Sequence, residues 1–214
     1  MVIIGNCDLL LEQIKPGHKL RRMVEVAQEA ALRGADLNSR LLSFARRQPL
    51  HLQTSDINEV ILGGKLLVRQ AIPQRISIKH KLAADLWPCV MDRPGFETAL
   101  LNVILNARDA MPDGGVITVE TSNVQVDGGA MDHDEAVQAG PYVQVSIRDT
   151  GTGMSADVLA RAFDPFFTTK APGKGTGLGL SMIYGMLRQL RGHIRIESQP
   201  GKGTTIHMMF PKAV

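Results

Sequence analysis

Aromatic side chains are scarce in this chain: one Trp, two Tyr and six Phe, 4% of 214 residues. Apolar residues still make up 44%, so a core has to be built from Leu, Ile, Val, Met and Ala. Only two cysteines occur, Cys7 and Cys89, far apart in the chain. That excludes a disulfide framework or a cysteine metal cluster and makes a reducing compartment the default. No apolar run approaches the roughly 20 residues that span a bilayer. The first residues, Met1-Val2-Ile3-Ile4-Gly5-Asn6, lack the basic run of a signal peptide. A soluble, cytoplasmic chain without direct membrane insertion is expected, though a longer parent is free to be membrane-tethered. A strong charge imbalance is missing too. The net charge is +3, with Lys and Arg scattered among Asp and Glu, so no nucleic-acid partner is expected.

What is present falls into two parts. Apolar positions at Val2, Ile3, Leu9, Leu10 and Ile14 fit a helix with one buried face, and Lys15-Pro16-Gly17-His18 reads as a tight connection. Leu20, Met23, Val24, Ala27, Ala30, Ala31, Leu37, Leu41, Leu42 and Phe44 then recur at helical spacing over 19–47, ended by Gln48-Pro49. A short helix, a turn and a long helix make an antiparallel hairpin. The second helix is about twice as long as the first, so its far half needs another subunit, or a preceding segment, to cover it. A homodimer through the helical hairpin is the expectation. One long helix lying on the rest of the chain is the alternative.

From residue 56 onward helices and strands alternate. The pattern predicts a helix over 56–71, a strand over 75–79 and a strong helix over 94–111. A strand over 116–121 and a polar loop or hairpin tip over 123–140 follow. Strand 142–148, helix 178–190 and strands 194–198 and 204–210 complete the order. This is an α/β fold, a two-layer sandwich with a mixed sheet, preceded by the helical hairpin. The domains are read as hairpin 1–48, linker 49–55 and layered domain 56–214.

Four polar elements stand in order over about eighty residues of that second domain. Asn102 and Asn106, four apart, share one helical face, and their carboxamide oxygens are neutral, hard ligands suited to a Mg²⁺ ion shared with phosphates. Asp149 ends an apolar strand and precedes Gly151 and Gly153, where a carboxylate can accept a hydrogen bond from an adenine amino group. Phe163-Asp164-Pro165-Phe166-Phe167 follows. Last comes Gly173-Lys174-Gly175-Thr176-Gly177-Leu178-Gly179, whose backbone amides can cradle phosphates at the start of a helix, with Lys170 and Lys174 adding charge. Each piece alone has an ordinary meaning: a turn, a surface Asn, a flexible loop. The glycine run is not a phosphate loop ending in Gly-Lys-Ser/Thr, nor does it follow a dinucleotide-fold strand. Together the four elements form a nucleotide site.

Residues 94–210 resemble the catalytic, ATP-binding domain of bacterial sensor histidine kinases, a fold shared with DNA gyrase, a heat-shock chaperone and a mismatch-repair protein. Asn102 and Asn106 match the N box, Asp149 to Gly153 the first glycine box, and Phe163 to Phe167 the F box. Gly173 to Gly179 match the second glycine box, and Gly201-Lys202-Gly203-Thr204 is similar to the last glycine motif. The run Phe166-Phe167-Thr168-Thr169-Lys170 resembles the group containing nitrogen regulators and hybrid phosphorelay kinases. The resemblance implies ATP and Mg²⁺ as cofactors, Asn106 as principal metal ligand with Asn102 its helper, Asp149 reading adenine, and 154–176 as a lid. It implies nucleotide contacts from Asp109, Gly151, Gly153, Lys170, Lys174, Gly175, Thr176, Gly177, Leu178, Gly179 and Thr204, with Asn102, Asn106 and Lys170 acting in catalysis. ATPases of that superfamily carry a glutamate one turn before the metal-binding asparagine. Asn102 stands there and is a poor base, so MgATP is expected to be held for a protein acceptor. Glu97, more than two turns before Asn106, is the other acid to weigh, against an ordinary surface role.

The hairpin resembles the dimerisation and phosphoacceptor domain of the same enzymes. Their His-Asp-Phe-Asn-Asn-Leu-Leu pattern would lie just before Met1, which puts the acceptor histidine about seven residues upstream. None of the six histidines, 18, 51, 80, 133, 193 and 207, stands on helix one beside a group to orient it. The expected function is transfer of the γ-phosphoryl of MgATP to a histidine absent from this chain, for relay to an aspartate of a response-regulator receiver domain. This chain alone is not expected to phosphorylate itself. The expected partners are the histidine-containing helix of a parent kinase and that receiver; Arg46 and Arg47 stand where it would dock and read equally as solvated charges at a helix end. A nucleotide-gated interaction module without kinase activity is the alternative, and a gyrase-like ATPase clamp is disfavoured by Asn102.

Overall fold

The computed structural model describes residues 2–15, 18–31, 51–127, 131–132, 135–136, 138–171 and 175–213. Contacts divide the chain into two units, 1–49 with 170–176 and 50–169 with 177–214.

In the first unit, helix α1 spans Val2–Gln13 and α2 is helical over 19–31. The guanidinium of Arg21 donates to the carbonyls of Leu11 and Ile14, both at 2.9 Å, and so ties the open end of α1 across the turn. Gln28 reaches Asp8 further along, so the two helices run antiparallel, as the spacing predicts. Cys7 is buried between them, whereas Ile3, Leu9, Leu10, Leu20, Met23 and Val26 are exposed. The expected continuation of the second helix over 32–47, with Arg46 and Arg47, lies outside the described residues.

The second unit is a helix layer on a mixed sheet. Its elements are β1 (Leu52–Ser55), α3 (Ile57–Gly63), α4 (Lys65–Ala71), β2 (Ile76–Lys81), β3 (Cys89–Asp92) and α5 (Arg93–Asp109). Then come β4 (Gly115–Val126), β5 (Met131–Asp132), β6 (Glu135–Ala136), β7 (Gly140–Asp149), α6 (Ala156–Ala160), α7 (Gly179–Gln189), β8 (His193–Gln199) and β9 (Gly203–Pro211). Five strands join in the order β2-β4-β7-β9-β8. β2 is parallel to β4, and the other pairs are antiparallel. The parallel pair is connected through β3 and α5, the crossover such a pair requires.

Alternation decides which face of the sheet is covered. Val143, Val145 and Ile147 of β7, and Ile206, Met208 and Phe210 of β9, point into the core. α5 answers with Phe96, Ala99, Leu100, Val103, Ile104 and Ala107, spaced by three and four. Phe96 meets Phe210 edge-on at 5.4 Å, and burying each such ring contributes about 1.5–3 kcal/mol. The start of α5 is fixed by Asp92, whose carboxylate accepts the Gly95 N–H at 2.9 Å, with Pro94 in the first turn.

Two features differ from the periodicity. The helix expected over 56–71 is two, α3 and α4, meeting at Gly64; the Gly63-Gly64 pair lacks the side chains that would hold one straight rod. Strand β1, in the stretch read as a linker, pairs antiparallel with β3 from Leu52↔Asp92 to Ser55↔Cys89. Three of its four residues are exposed, so it shows no alternation in sequence. None of the described helices is long and apolar enough to cross a membrane.

Candidate functional site

α5 lies beside α7 and presents Asn102 and Asn106, both half-buried, toward the start of that helix. A Cβ added to Gly179 would stand 3.8 Å from Asn102 Cγ and 3.9 Å from Asn106 Nδ2, so the first residue of α7 faces both carboxamides. No side chain caps α7 at that end. Its N–H groups and its positive dipole end therefore look toward the asparagine pair, an arrangement suited to phosphate. Leu178, fully buried, anchors the turn, and Ser181 Oγ donates to its carbonyl at 3.0 Å.

Gly177 holds the approach to α7 in the left-handed region at φ 66°, where a Cβ would lie 2.6 Å from the Phe166 carbonyl oxygen. Phe166 is left-handed as well, at φ 67°, and its N–H donates to the Gly177 carbonyl at 3.0 Å. The two predicted motifs, phenylalanine-rich and glycine-rich, are thus clamped together at one point. Around it Phe163 packs on Tyr184 at 5.3 Å and Arg161 lies over the Phe167 ring at 4.2 Å. Phe166 itself is exposed.

Asp149 closes β7 and is 6% exposed. Its Oδ1 accepts two backbone N–H groups, Gly151 at 2.8 Å and Thr204 at 3.2 Å. Oδ2 takes neither. Burial pushes the carboxyl above its ordinary value, and the same two hydrogen bonds partly oppose the shift. The last glycine motif owes its place to this carboxylate. Gly203, at φ 84°, brings its backbone so close to the Asp149 carbonyl that no side chain fits. Ser198 completes the corner, accepting from the Met154 N–H at 2.8 Å and donating to the Gly203 carbonyl at 3.1 Å. The sequence reading missed Ser198. Its only signal is register, since it stands opposite Thr204 across β8 and β9.

The asparagine pair and Asp149 are joined through the end of α5. Ala110 N–H donates to the Asn106 carbonyl at 3.0 Å, Thr152 N–H donates to the Ala110 carbonyl at 3.0 Å, and a Cβ on Gly151 would strike Ala110. Gly153 is left-handed at φ 66° and lies against the Gln199 carbonyl. Asp109 pairs with Arg108 at 2.7 Å. Asn102, Asn106, Asp149, Gly151, Gly153, Gly177, Leu178, Gly179 and Thr204 thus belong to one connected region. Lys170, Gly175 and Thr176 fall in the first unit, and Gly173 and Lys174 lie outside the described residues. Among the described residues no group of His, Cys, Asp and Glu could hold a metal. A metal here would rest on amide oxygens.

Residues 91–214 match the family model described as histidine kinase-, DNA gyrase B-, and HSP90-like ATPase. The chain belongs to this family. Among curated relatives it is 40% identical over 212 residues to the sensor kinase CckA of Brucella abortus (strain 2308), covering 99% of this chain and 22% of that protein. It is 33% identical over 210 residues to the sensor histidine kinase ZraS of Escherichia coli (strain K12), covering 98% and 42%. The full-length structure of ShkA in complex with AMPPNP superposes with a TM-score of 0.75 at 24% identity, covering 99% of this chain and 42% of that one, and supports the fold. The chain spans about a fifth to two fifths of the length of these curated relatives. Residues 91–214 are thus an ATP-binding domain of this family, and the resemblance to sensor histidine kinases is borne out by these relatives.

Proposed function

We propose that this core transfers the γ-phosphoryl group of MgATP to a histidine on a helix of a parent kinase, for relay to a response-regulator receiver domain. The observation that carries the proposal is the meeting of Asn102, Asn106 and the uncapped start of α7 at Gly179, connected through Ala110 to Asp149. A metal-bound triphosphate needs both features: neutral oxygen ligands and inward-facing backbone amides. The residues present fit it. Asn102 has no side-chain partner among the described residues, and Asp149 keeps Oδ2 for a donor.

In this reading Asn106 is the principal Mg²⁺ ligand and Asn102 its helper, while Asp149 accepts the adenine amino group. Gly177, Leu178 and Gly179 present backbone amides to the phosphates. Lys170 and Lys174 add charge, Gly175 and Thr176 continue the cradle, and Asp109, Gly151, Gly153 and Thr204 border the base. MgATP supplies the reactive phosphorus and the metal charge that offsets its oxygens. The bond from the γ-phosphorus to the ADP oxygen breaks as the bond to the acceptor imidazole nitrogen forms. Asn102 cannot take a proton from water, so the site favours a protein acceptor over hydrolysis. The exposed apolar positions Ile3, Leu9, Leu10, Leu20, Met23 and Val26 support pairing of two hairpins in a homodimer.

The test supplies γ-labelled MgATP to the chain together with the histidine-bearing helix of a parent kinase. Acid-labile, base-stable label on that helix, lost with Asn106→Ala, is the expected result. Nucleotide binding without any transfer would make the chain an interaction module instead.

A further inference from the structure

α5 has a second working face. Away from the asparagines, Leu100 and Ile104 meet Ile61, Val68, Ile78 and Val119 around a crevice of about 150 Å³, lying between α3, α4, α5 and β2. Its polar lining is all basic or neutral: Lys65, Arg69 and His80. Lys65 and Arg69 stand four apart on α4, a like-charge spacing that destabilises a short helix. No acid on α4 relieves it, and neither cation has an ion-pair partner among the described residues. Glu120, next to Val119 on β4, points to the other face of the sheet, where Lys81 holds it at 2.7 Å. His80 reports the same local field, its pKa lowered first by burial and then by Lys65.

We propose that this crevice binds a small carboxylate with an apolar body of about benzene size, its anionic head held by Lys65 and Arg69. An apolar cavity of this volume takes up a benzene-sized body, and an anion there would relieve the two facing cations. The site is separate from the nucleotide site, and its existence does not rest on that reading. Leu100 and Ile104 share α5 with Asn102 and Asn106, so an occupant that shifts this helix would be felt at the asparagines.

The experiment follows the methyl resonances of the whole chain by NMR during titration with phenylacetate, then with uncharged 2-phenylethanol. Saturable shifts centred on Ile61, Val68, Ile78 and Ile104 are expected with phenylacetate, and binding of the alcohol about tenfold weaker. The double variant Lys65→Gln, Arg69→Gln, at exposed positions that leave the core intact, should weaken phenylacetate by a similar factor. The cavity-filling variant Ile78→Trp should abolish the shifts. No shift, shifts centred elsewhere, or equal binding by the double variant would overturn the proposal. So would sedimentation with phosphatidylglycerol vesicles in the absence of phenylacetate binding, which would make the basic rim a membrane contact.

Discussion

On the proposed placement of adenine at Asp149, replacing that residue by Asn should change which purine the site prefers, and two backbone donors set the direction. Two backbone N–H groups converge on Oδ1, from Gly151 and Thr204. In the Asn variant the amide oxygen must take that inner place, because the flipped amide would set its NH₂ against two buried donors. Each donor left unpaired costs about 1–3 kcal/mol. The NH₂ group is then forced outward, where the carboxylate had offered an acceptor. Adenine presents an amino donor at that position, so ATP loses a charge-assisted hydrogen bond of about 1.5–3 kcal/mol, a weakening of about 10- to 150-fold. Inosine triphosphate carries a carbonyl there and would accept from the new NH₂. The variant should therefore bind ATP poorly and inosine triphosphate as well as or better than ATP. Its stability should not fall: burial holds the Asp149 carboxyl above its ordinary value, so a neutral amide relieves a cost. Calorimetric titration with both nucleotides, beside a thermal melt, measures all three quantities. Unchanged ATP affinity, or equal losses for the two nucleotides, would refute the placement of the base at Asp149.

The same carboxyl sets a pH dependence. Because burial raises its folded pKa, ATP affinity of the native chain should begin to fall on acidification at a higher pH than an ordinary aspartate would set, and Asp149→Asn should remove that limb. Gly177→Ala imposes a side chain at φ 66° against the Phe166 backbone; nucleotide affinity should drop severalfold and stability should fall by about 1 kcal/mol or more, read together by calorimetric titration and a thermal melt. His207, on β9, has its pKa lowered by burial, and its Nε2 has no hydrogen-bond partner. A depressed folded pKa stabilises above the unfolded value and is lost as the pH falls through the folded one, so the melt should drop below about pH 6.5. His207→Asn, which keeps a polar atom near Ser146, should flatten that drop. The Cys89 thiol is fully buried and pushed up to about 12, so iodoacetamide should label it only after denaturation.

The layered fold was legible because burial here follows simple periods. α5 declares itself through Phe96, Ala99, Leu100, Val103, Ile104 and Ala107, and β7 through Val143, Val145 and Ile147. β1 was not legible, since an edge strand of mostly exposed residues needs no alternation. Within the candidate site, glycines and amides at fixed spacings carried the reading. What escaped was the hydrogen bonding that only register creates, above all Ser198 bridging Met154 and Gly203. The small-carboxylate crevice was invisible too, because Lys65 and Arg69 in sequence look like any solvated pair.

The hydrogen bond from Phe166 to Gly177 closes a loop at its neck. The two ends of that loop are fixed by the pair itself, so the stretch between them can lengthen or shorten without moving Leu178 and Gly179 off the asparagines. Doubling such a loop costs only about 0.6 kcal/mol in closure entropy. The length of the span between Phe166 and Gly177 is therefore free to differ among relatives while Leu178 and Gly179 keep their place, whereas Lys170, Gly175 and Thr176 within it stay tied to the proposed nucleotide contacts.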